Sequence, residues 1–496
     1  MINLFGGGKP EHPMANPREA KRLLEALPPQ ELKALEELAG WLESVSLAEG
    51  FKPAERVGLV TAIDDAAQPR LRKVARDYFA AQRPSKYQES LMWKQMHEYW
   101  RHAGLAWGRV IDALAGDAKA LPMPLVRALR SLGQQIKWQH LRYGPVDPAV
   151  WGVINRIYAL AEARGLADAK FIPAAGLPET TPKLEFLRAA MFDASSPDGL
   201  LPAEIELAER FVAELAPRFA VGAKPAKELV YWIDLGRAMA PSRVIKPPTP
   251  AAGLRLFGPG SALDTLEAYI LKVASTRQLP STPNLGGTYE PEAVLEVANH
   301  LALYWAPELP ERKHPRHNVK SRLSIAHGFD GVVDALGGGS SLDLTGSPAT
   351  ESWVVENVSA GGLGAVVPQV KGDWLRVGAL LAMQPDGGAN WVAGVVRRLN
   401  RTSGQEARVG IETLSRAPAI ARFQMRDVGE QVGILLPSPV LGSGETAIAL
   451  RTGIYARGQN LETRVDGKHH VYMPQGAGER GEDYDLVRFR QMVRED

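Results

Sequence analysis

Apolar positions recur every three or four residues through most of the first 300 positions, then give way to short, closely spaced β-type runs beyond Pro310. The helical texture is clearest over 90–114, where Trp93, Met96, Trp100, Ala103, Trp107, Val110 and Leu114 alternate spacings of three and four. That seven-residue period draws one apolar stripe along a long helix. Three tryptophans in register could form an aromatic binding face, but core packing against neighbouring helices is the simpler expectation. His97 and His102 on the same run lack the spacing of a metal pair and are read as ordinary residues.

Punctuation divides the helical part. Asn16 before Pro17 is a good N-cap followed by proline at the first helical position, and the helical pattern then continues to about Leu166. Proline and glycine over 173–182 mark a break, after which a second helical run is expected over 182–239. The proline- and glycine-rich stretch 241–260 reads as loop, a helix is expected over 261–277, and a last one over 291–305, ended by Pro307 and Pro310. Beyond it, 374–381, 391–399 and 407–414 are rich in Val, Leu and Trp, with turn residues between them. Strands that short and that close suggest a small antiparallel barrel. The β texture continues from about Phe423 through 431–436, 446–451, 461–465 and 470–473, as an extension of that barrel or a second small β domain. The expected fold class is multi-domain α + β. It divides into a helical domain (1–170), a second helical region with Pro/Gly-rich linkers (171–307), a β-barrel (308–417) and a C-terminal β extension (418–496). No fixed-period repeat is visible.

A hydrophobic content of 45% with 23% charged residues permits a sizeable core, and 496 residues leave room for about three domains. A net charge of +2 argues against a dedicated nucleic-acid binder but allows a local basic pocket. The absence of cysteine excludes disulfides and thiolate metal sites. No apolar run approaches the ~20 residues of a membrane span, so no membrane insertion is expected. Positions 1–9 lack the basic and apolar regions of a signal peptide, and the expected location is cytoplasmic.

Two short segments carry the candidate chemistry. The first, Arg312, Lys313, His314, Pro315 and Arg316, sets two arginines four residues apart. The same spacing occurs at Arg18/Arg22, Arg72/Arg76, Arg397/Arg401, Arg422/Arg426 and Arg490/Arg494, so alone it says little. Pro315 takes the 312/316 pair off any helix, because proline disfavours the α region before it and cannot continue a helix through itself. The second segment, Asn357, Val358, Ser359, Ala360, Gly361 and Gly362, is a polar turn whose glycines let a ligand approach the backbone. A guanidinium binds phosphate through charge-assisted bonds, reads the N7/O6 edge of guanine and stacks on a purine. Asn357 and Ser359 can add neutral hydrogen bonds.

In this order, with 375–378, 394–397 and 409–412 following as later strands, the segments resemble the PilZ domain, the bacterial receptor module for cyclic di-GMP. The resemblance covers roughly 308–417. It implies a barrel whose RxxxR loop precedes the first strand and whose [DN]xSxxG turn lies between strands. It also implies cyclic di-GMP as ligand, held by Arg312, Arg316, Asn357, Ser359 and Gly362. Two features depart from the usual pattern: a Gly/Ser-rich insert around 337–350, and Glu311 where many relatives carry a basic residue.

The expected function is therefore a cyclic di-GMP receptor needing no cofactor and no metal. Ligand would order the 312–316 loop on the barrel and reposition the helical region, which would meet a protein partner. The alternative is a degenerate scaffold of the same fold that works through protein contacts without nucleotide. An enzyme is not expected, since HExxH, the GxSxG elbow and a complete Walker loop are all missing. Glu204, Glu206 and Asp234 are the carboxylates considered. The first two read as surface charge, and Asp234 reads as a structural hydrogen-bonding group inside an apolar helix.

Overall fold

The computed structural model describes residues 11–80, 84–114, 116–246, 248–308, 314–337, 350–388, 390–402, 405–426, 428–437, 444–456, 458–465, 468–476 and 478–494. These fall into two compact units, one drawn from the first 310 residues and one made of 311–496 together with two short loops, 143–145 and 198–201.

The first unit is mainly helical, with α1 (Pro17–Glu25), α2 (Glu31–Leu47), α3 (Pro53–Tyr78), α4 (Lys86–Ala113), α5 (Pro122–His140), α6 (Pro148–Ala163), α7 (Pro182–Ala194) and α8 (Pro202–Leu215). Most of these begin on proline, whose missing N–H and fixed φ suit the first helical position. The expected Asn16 cap is present, its side chain accepting from Arg18 N at 2.9 Å. On α4 the apolar stripe is core: Met96, Trp100, Ala103, Trp107 and Val110 are buried, and Trp93 stacks on His97.

Two charged clusters pin these helices. Asp64 on α3 is buried and accepts from Tyr99 and Gln68 (both 2.8 Å), Arg127 (3.1 Å) and Trp107 (3.2 Å). On α8, Glu206 is buried rather than on the surface, paired with Lys137 and with Arg210. The helical pattern could not separate it from an exposed carboxylate such as Glu214 on the same helix, because its cation comes from α5, 69 positions away. Burial opposes the charge on Lys137, but Glu206 and Glu209 outweigh it and hold its pKa above the ordinary lysine value.

The second half of this unit departs from the helical expectation. After α8 the chain turns at Pro217 and forms β1 (Ala220–Gly222), β2 (Tyr231–Asp234), β3 (Ser242–Arg243) and β4 (Leu254–Gly258), an antiparallel sheet in the order β1-β4-β2-β3. The expected helical region over 182–239 is thus two helices followed by two strands, and the expected loop over 241–260 contains two more. Along β2 burial alternates residue by residue, with Tyr231 and Ile233 inward, so the short apolar run has period two. Asp234 ends that strand and accepts from Gly236 N at 3.0 Å, an aspartate turn rather than a helix-core group. At the end of β4, Gly258 packs against the Glu228 carbonyl, with no room there for a side chain. Helices α9 (Ala262–Thr276) and α10 (Pro291–Trp305) complete the unit, within a residue of their expected ends.

The second unit is β. Strands β5 (His317–His327), β6 (Glu351–Ser359), β7 (Gly362–Val367), β8 (Leu380–Pro385), β9 (Val392–Arg401) and β10 (Ala407–Ser415) close into an antiparallel barrel in the order β10-β7-β6-β5-β8-β9. Its interior is filled by Leu323, Ile325, Trp353, Val355, Leu381 and Met383 among others, all buried. One strand is displaced from expectation. Residues 374–379 are irregular, because Gly378 adopts a positive φ and donates to Val396 O at 2.7 Å before the ladder of β8 begins. Between β5 and β6 runs α11 (Gly328–Leu336), whose Phe329, Val332 and Ala335 are buried. Most of the Gly/Ser-rich insert, 338–349, lies outside the described residues.

Seven further strands follow: β11 (Ala419–Met425), β12 (Gly429–Leu436), β13 (Glu445–Arg451), β14 (Leu461–Val465), β15 (Lys468–Pro474), β16 (Glu479–Arg480) and β17 (Tyr484–Arg494). They are ordered β13-β12-β11-β14-β15-β17-β16, and β13 also pairs with β17, so the sheet closes on itself. With the two-residue β16 set aside, the circuit runs first-second-third-sixth-fifth-fourth, the same as in the first barrel. The two barrels share one apolar cluster in which Phe329, Val332, Leu380, Ala382 and Val395 meet Ile434, Leu436, Ala449 and Tyr484. Residues 418–496 therefore form a second barrel packed against the first within one compact unit.

Candidate functional site

The [DN]xSxxG turn is the β6–β7 hairpin. Ser359 pairs with Gly362 across a turn of Ala360 and Gly361, and Asn357 pairs with Gly364 two steps further down. The Ser359 hydroxyl donates to Gly362 O at 3.1 Å, which commits its only proton and leaves its lone pairs as acceptors. The Asn357 amide occupies the space that a side chain at Gly364 would fill, with Nδ2 2.8 Å from where that Cβ would stand. Gly362 pairs with Glu412 on β10, and a Cβ there would lie far inside the contact distance of Ile411 O. The two glycines thus have different uses: one lets β10 approach, and the other makes room for Asn357.

The second half of the predicted site arrives through strand register. On β5, His317 pairs with Val358 and Asn318 with Asn357. Continuing that register one step places Arg316 level with Ser359. The His314 ring lies against Gly361, 3.5 Å from where a Cβ would stand. Two segments 41 residues apart in sequence, 316 and 357, therefore share one rim of the barrel. Arg316 is exposed and makes no hydrogen bond or ion pair among the described residues. Arg312, the other arginine of the predicted clamp, lies outside the described residues.

Several of the other arginines with this spacing are engaged elsewhere. Arg397 pairs with Glu412 at 2.6 Å and also with Glu479; burial opposes its charge, but the two carboxylates outweigh burial and hold it above the usual arginine pKa. Arg401 donates to Leu375 O, Arg422 to Glu430, and Arg22 to Glu19. Arg316 differs from these in facing solvent beside a hydrogen-bonding turn.

A shallow cleft in the helical unit is lined by Arg130, Glu185, Arg188 and Glu209, among others. Its charges answer one another: Arg188 binds Glu185 at 2.8 Å, and Lys137 lies 3.4 Å from Glu209. Burial pushes the Glu209 carboxyl up, but Lys137, Arg188 and Arg130 outweigh it and hold its pKa below the ordinary value. This is a self-neutralised structural network. Among the described residues no group of histidines and carboxylates is arranged to hold a metal, and no helix is long and apolar enough to cross a membrane.

A comparison with known families matches a different part of the chain. Residues 18–226 match the N-terminal domain of the cyclic-di-GMP receptor FimW. The matched span runs from α1 to just past β1, upstream of both barrels. No curated protein matches the chain. Sequence reasoning had assigned no family to these first 300 residues, whose visible signals are core periodicity and helix caps.

Two residues at the rim escaped the sequence reading. Gly364 has no motif position, and only its pairing with Asn357 explains it. Arg416 donates through Nη2 to Ala360 O, at the turn itself, and nothing in its local sequence marks it.

Proposed function

We propose that this protein is a non-catalytic receptor for cyclic di-GMP, with the ligand held on the PilZ-type rim of the first barrel by Arg312, Arg316, Asn357, Ser359 and Gly362. The observation that carries the reading is the register of β5 on β6, His317 on Val358 and Asn318 on Asn357, which continued by one step sets Arg316 level with Ser359. The FimW-type helical region supports it independently. The ligand supplies two phosphodiesters and two guanines, and the rim offers an unpaired guanidinium, an amide and a hydroxyl acceptor, which suit phosphate and guanine edges.

In this reading the segment 306–316 has two roles. It is the covalent link between the helical unit and the barrel, and its end forms part of the ligand site. Fixing it on the rim restricts the chain by which the helical unit is attached, and so biases what that unit presents to a protein partner. Calorimetry on the full chain tests the receptor step. Binding at micromolar cyclic di-GMP is expected, with Arg316→Ala weakening it about tenfold or more. No binding by the parent, together with unchanged hydrogen exchange over 311–362, would favour a scaffold acting through protein contacts alone.

A further inference from the structure

The hairpin turn has a basic neighbour on each side. The barrel order places β5 beside β6 and β10 beside β7, so the β6–β7 hairpin is flanked by those two strands. From the β5 side come His314 and Arg316. From the β10 side comes Arg416, the first residue after Ser415 at the end of that strand. Its position is fixed by the ladder: Glu412 pairs with Gly362, and Thr413 N donates to Gly361 O at 3.0 Å. The Arg416 Nη2 then reaches Ala360 O at 3.3 Å while the side chain stays exposed.

A guanidinium carries five N–H donors in a planar fork, and the bond to Ala360 uses one of them. The remainder make no hydrogen bond among the described residues. An anion lying across Ala360 and Gly361 would therefore meet guanidinium groups from both flanks. We propose that Arg416 is a third ligand-binding arginine, which takes a phosphodiester of the cyclic dinucleotide from the flank opposite Arg316. The assignment rests on the receptor reading above and extends it to a residue outside both motifs. It also gives ligand a direct hold on the residues 416–418 that lead from the first barrel into the second.

The test is calorimetry with cyclic di-GMP on the full-length parent, Arg316→Ala, Arg416→Ala and Arg416→Lys, with a urea midpoint measured for each without ligand. Loss of one charge-assisted contact corresponds to a weakening of about tenfold to a hundredfold. We expect that loss for Arg416→Ala with an unchanged urea midpoint, and a smaller loss for Arg416→Lys, which keeps the charge without the planar fork. Parental affinity in Arg416→Ala beside weakened binding in Arg316→Ala overturns the third-arginine assignment and leaves the receptor reading standing. Weakened binding accompanied by a lowered urea midpoint assigns Arg416 to holding the hairpin and overturns it too. A parent that does not bind overturns the receptor reading, and the assignment falls with it.

Discussion

The two barrels of the β unit have one strand circuit and two different rims. In the first, β5 and β8 are joined by five residue pairs, from Leu323↔Pro385 to His327↔Leu381. The corresponding seam of the second, β11 to β14, is a single pair, Gln424↔Glu462. The first barrel turns from its second to its third strand through a two-residue hairpin carrying Asn357 and Ser359. In the second barrel the same connection spans 437–444, with the sequence Pro-Ser-Pro-Val-Leu-Gly-Ser-Gly and no [DN]xSxxG. The same circuit thus folds with or without the ligand motif. The candidate chemistry on this scaffold lies in one hairpin and the residues its neighbours place beside it, not in the barrel as such.

The largest test of that difference concerns glycine. At Gly362 a side chain would meet the Ile411 carbonyl, which is fixed in the ladder, so Gly362→Val is expected to cost about 3 kcal/mol in urea denaturation and to weaken ligand binding. In the second barrel, a Cβ at Gly433 would meet the side chains of Phe423 and Leu450 at 2.7 and 2.9 Å, which can shift. Gly433→Ala should therefore cost nearer 1 kcal/mol and leave binding unchanged. Equal losses in the two variants would break the distinction between a rigid rim and an adaptable core.

Saturating ligand gives the next largest effect. At a hundred times its dissociation constant, cyclic di-GMP should stabilise the protein by about 2.7 kcal/mol, read as a raised melting temperature. Hydrogen exchange should slow over 357–364 and not over 419–425 or 461–465. Protection confined to the second barrel would place the ligand on the wrong one.

Tyr484 tests how firmly the barrels are joined. It is fully buried, burial pushes its phenol pKa up, and its hydroxyl donates to Gly378 O at 3.0 Å. Tyr484→Phe removes the bond and leaves that carbonyl without its donor, an expected cost of about 1–2 kcal/mol in chemical denaturation. A cost near zero would mean that the apolar cluster alone holds the barrels together. The smallest difference concerns the seams without ligand: amides of β11 and β14 should exchange faster than those of β5 and β8, as the single-pair closure has fewer bonds to open.

Much of this architecture was legible along the chain. The change from helical to β texture near Pro310 appears in the structure, and α9, α10, β9, β10 and β12 to β15 fall close to their expected spans, whereas no strand is expected over β17. The failures have different causes. Tyr231–Asp234 is too short for its period to be told from a helical run, and α11 is a nine-residue helix with only three buried residues to mark its period. At Gly378, a positive φ moved the start of β8 beyond the expected strand.

By itself the sequence determined which residues are capable of the chemistry: an arginine taken off a helix by Pro315, and a turn rich in glycine with an amide and a hydroxyl. Only the tertiary structure decided which of them meet. Antiparallel register, not sequence distance, puts Arg316 level with Ser359, and closure through β7 and β10 brings Arg416 to Ala360 from the other side. The repetition of the barrel was likewise invisible in the chain. A strand circuit is a property of pairing between distant segments, and the two copies use different residues to make it.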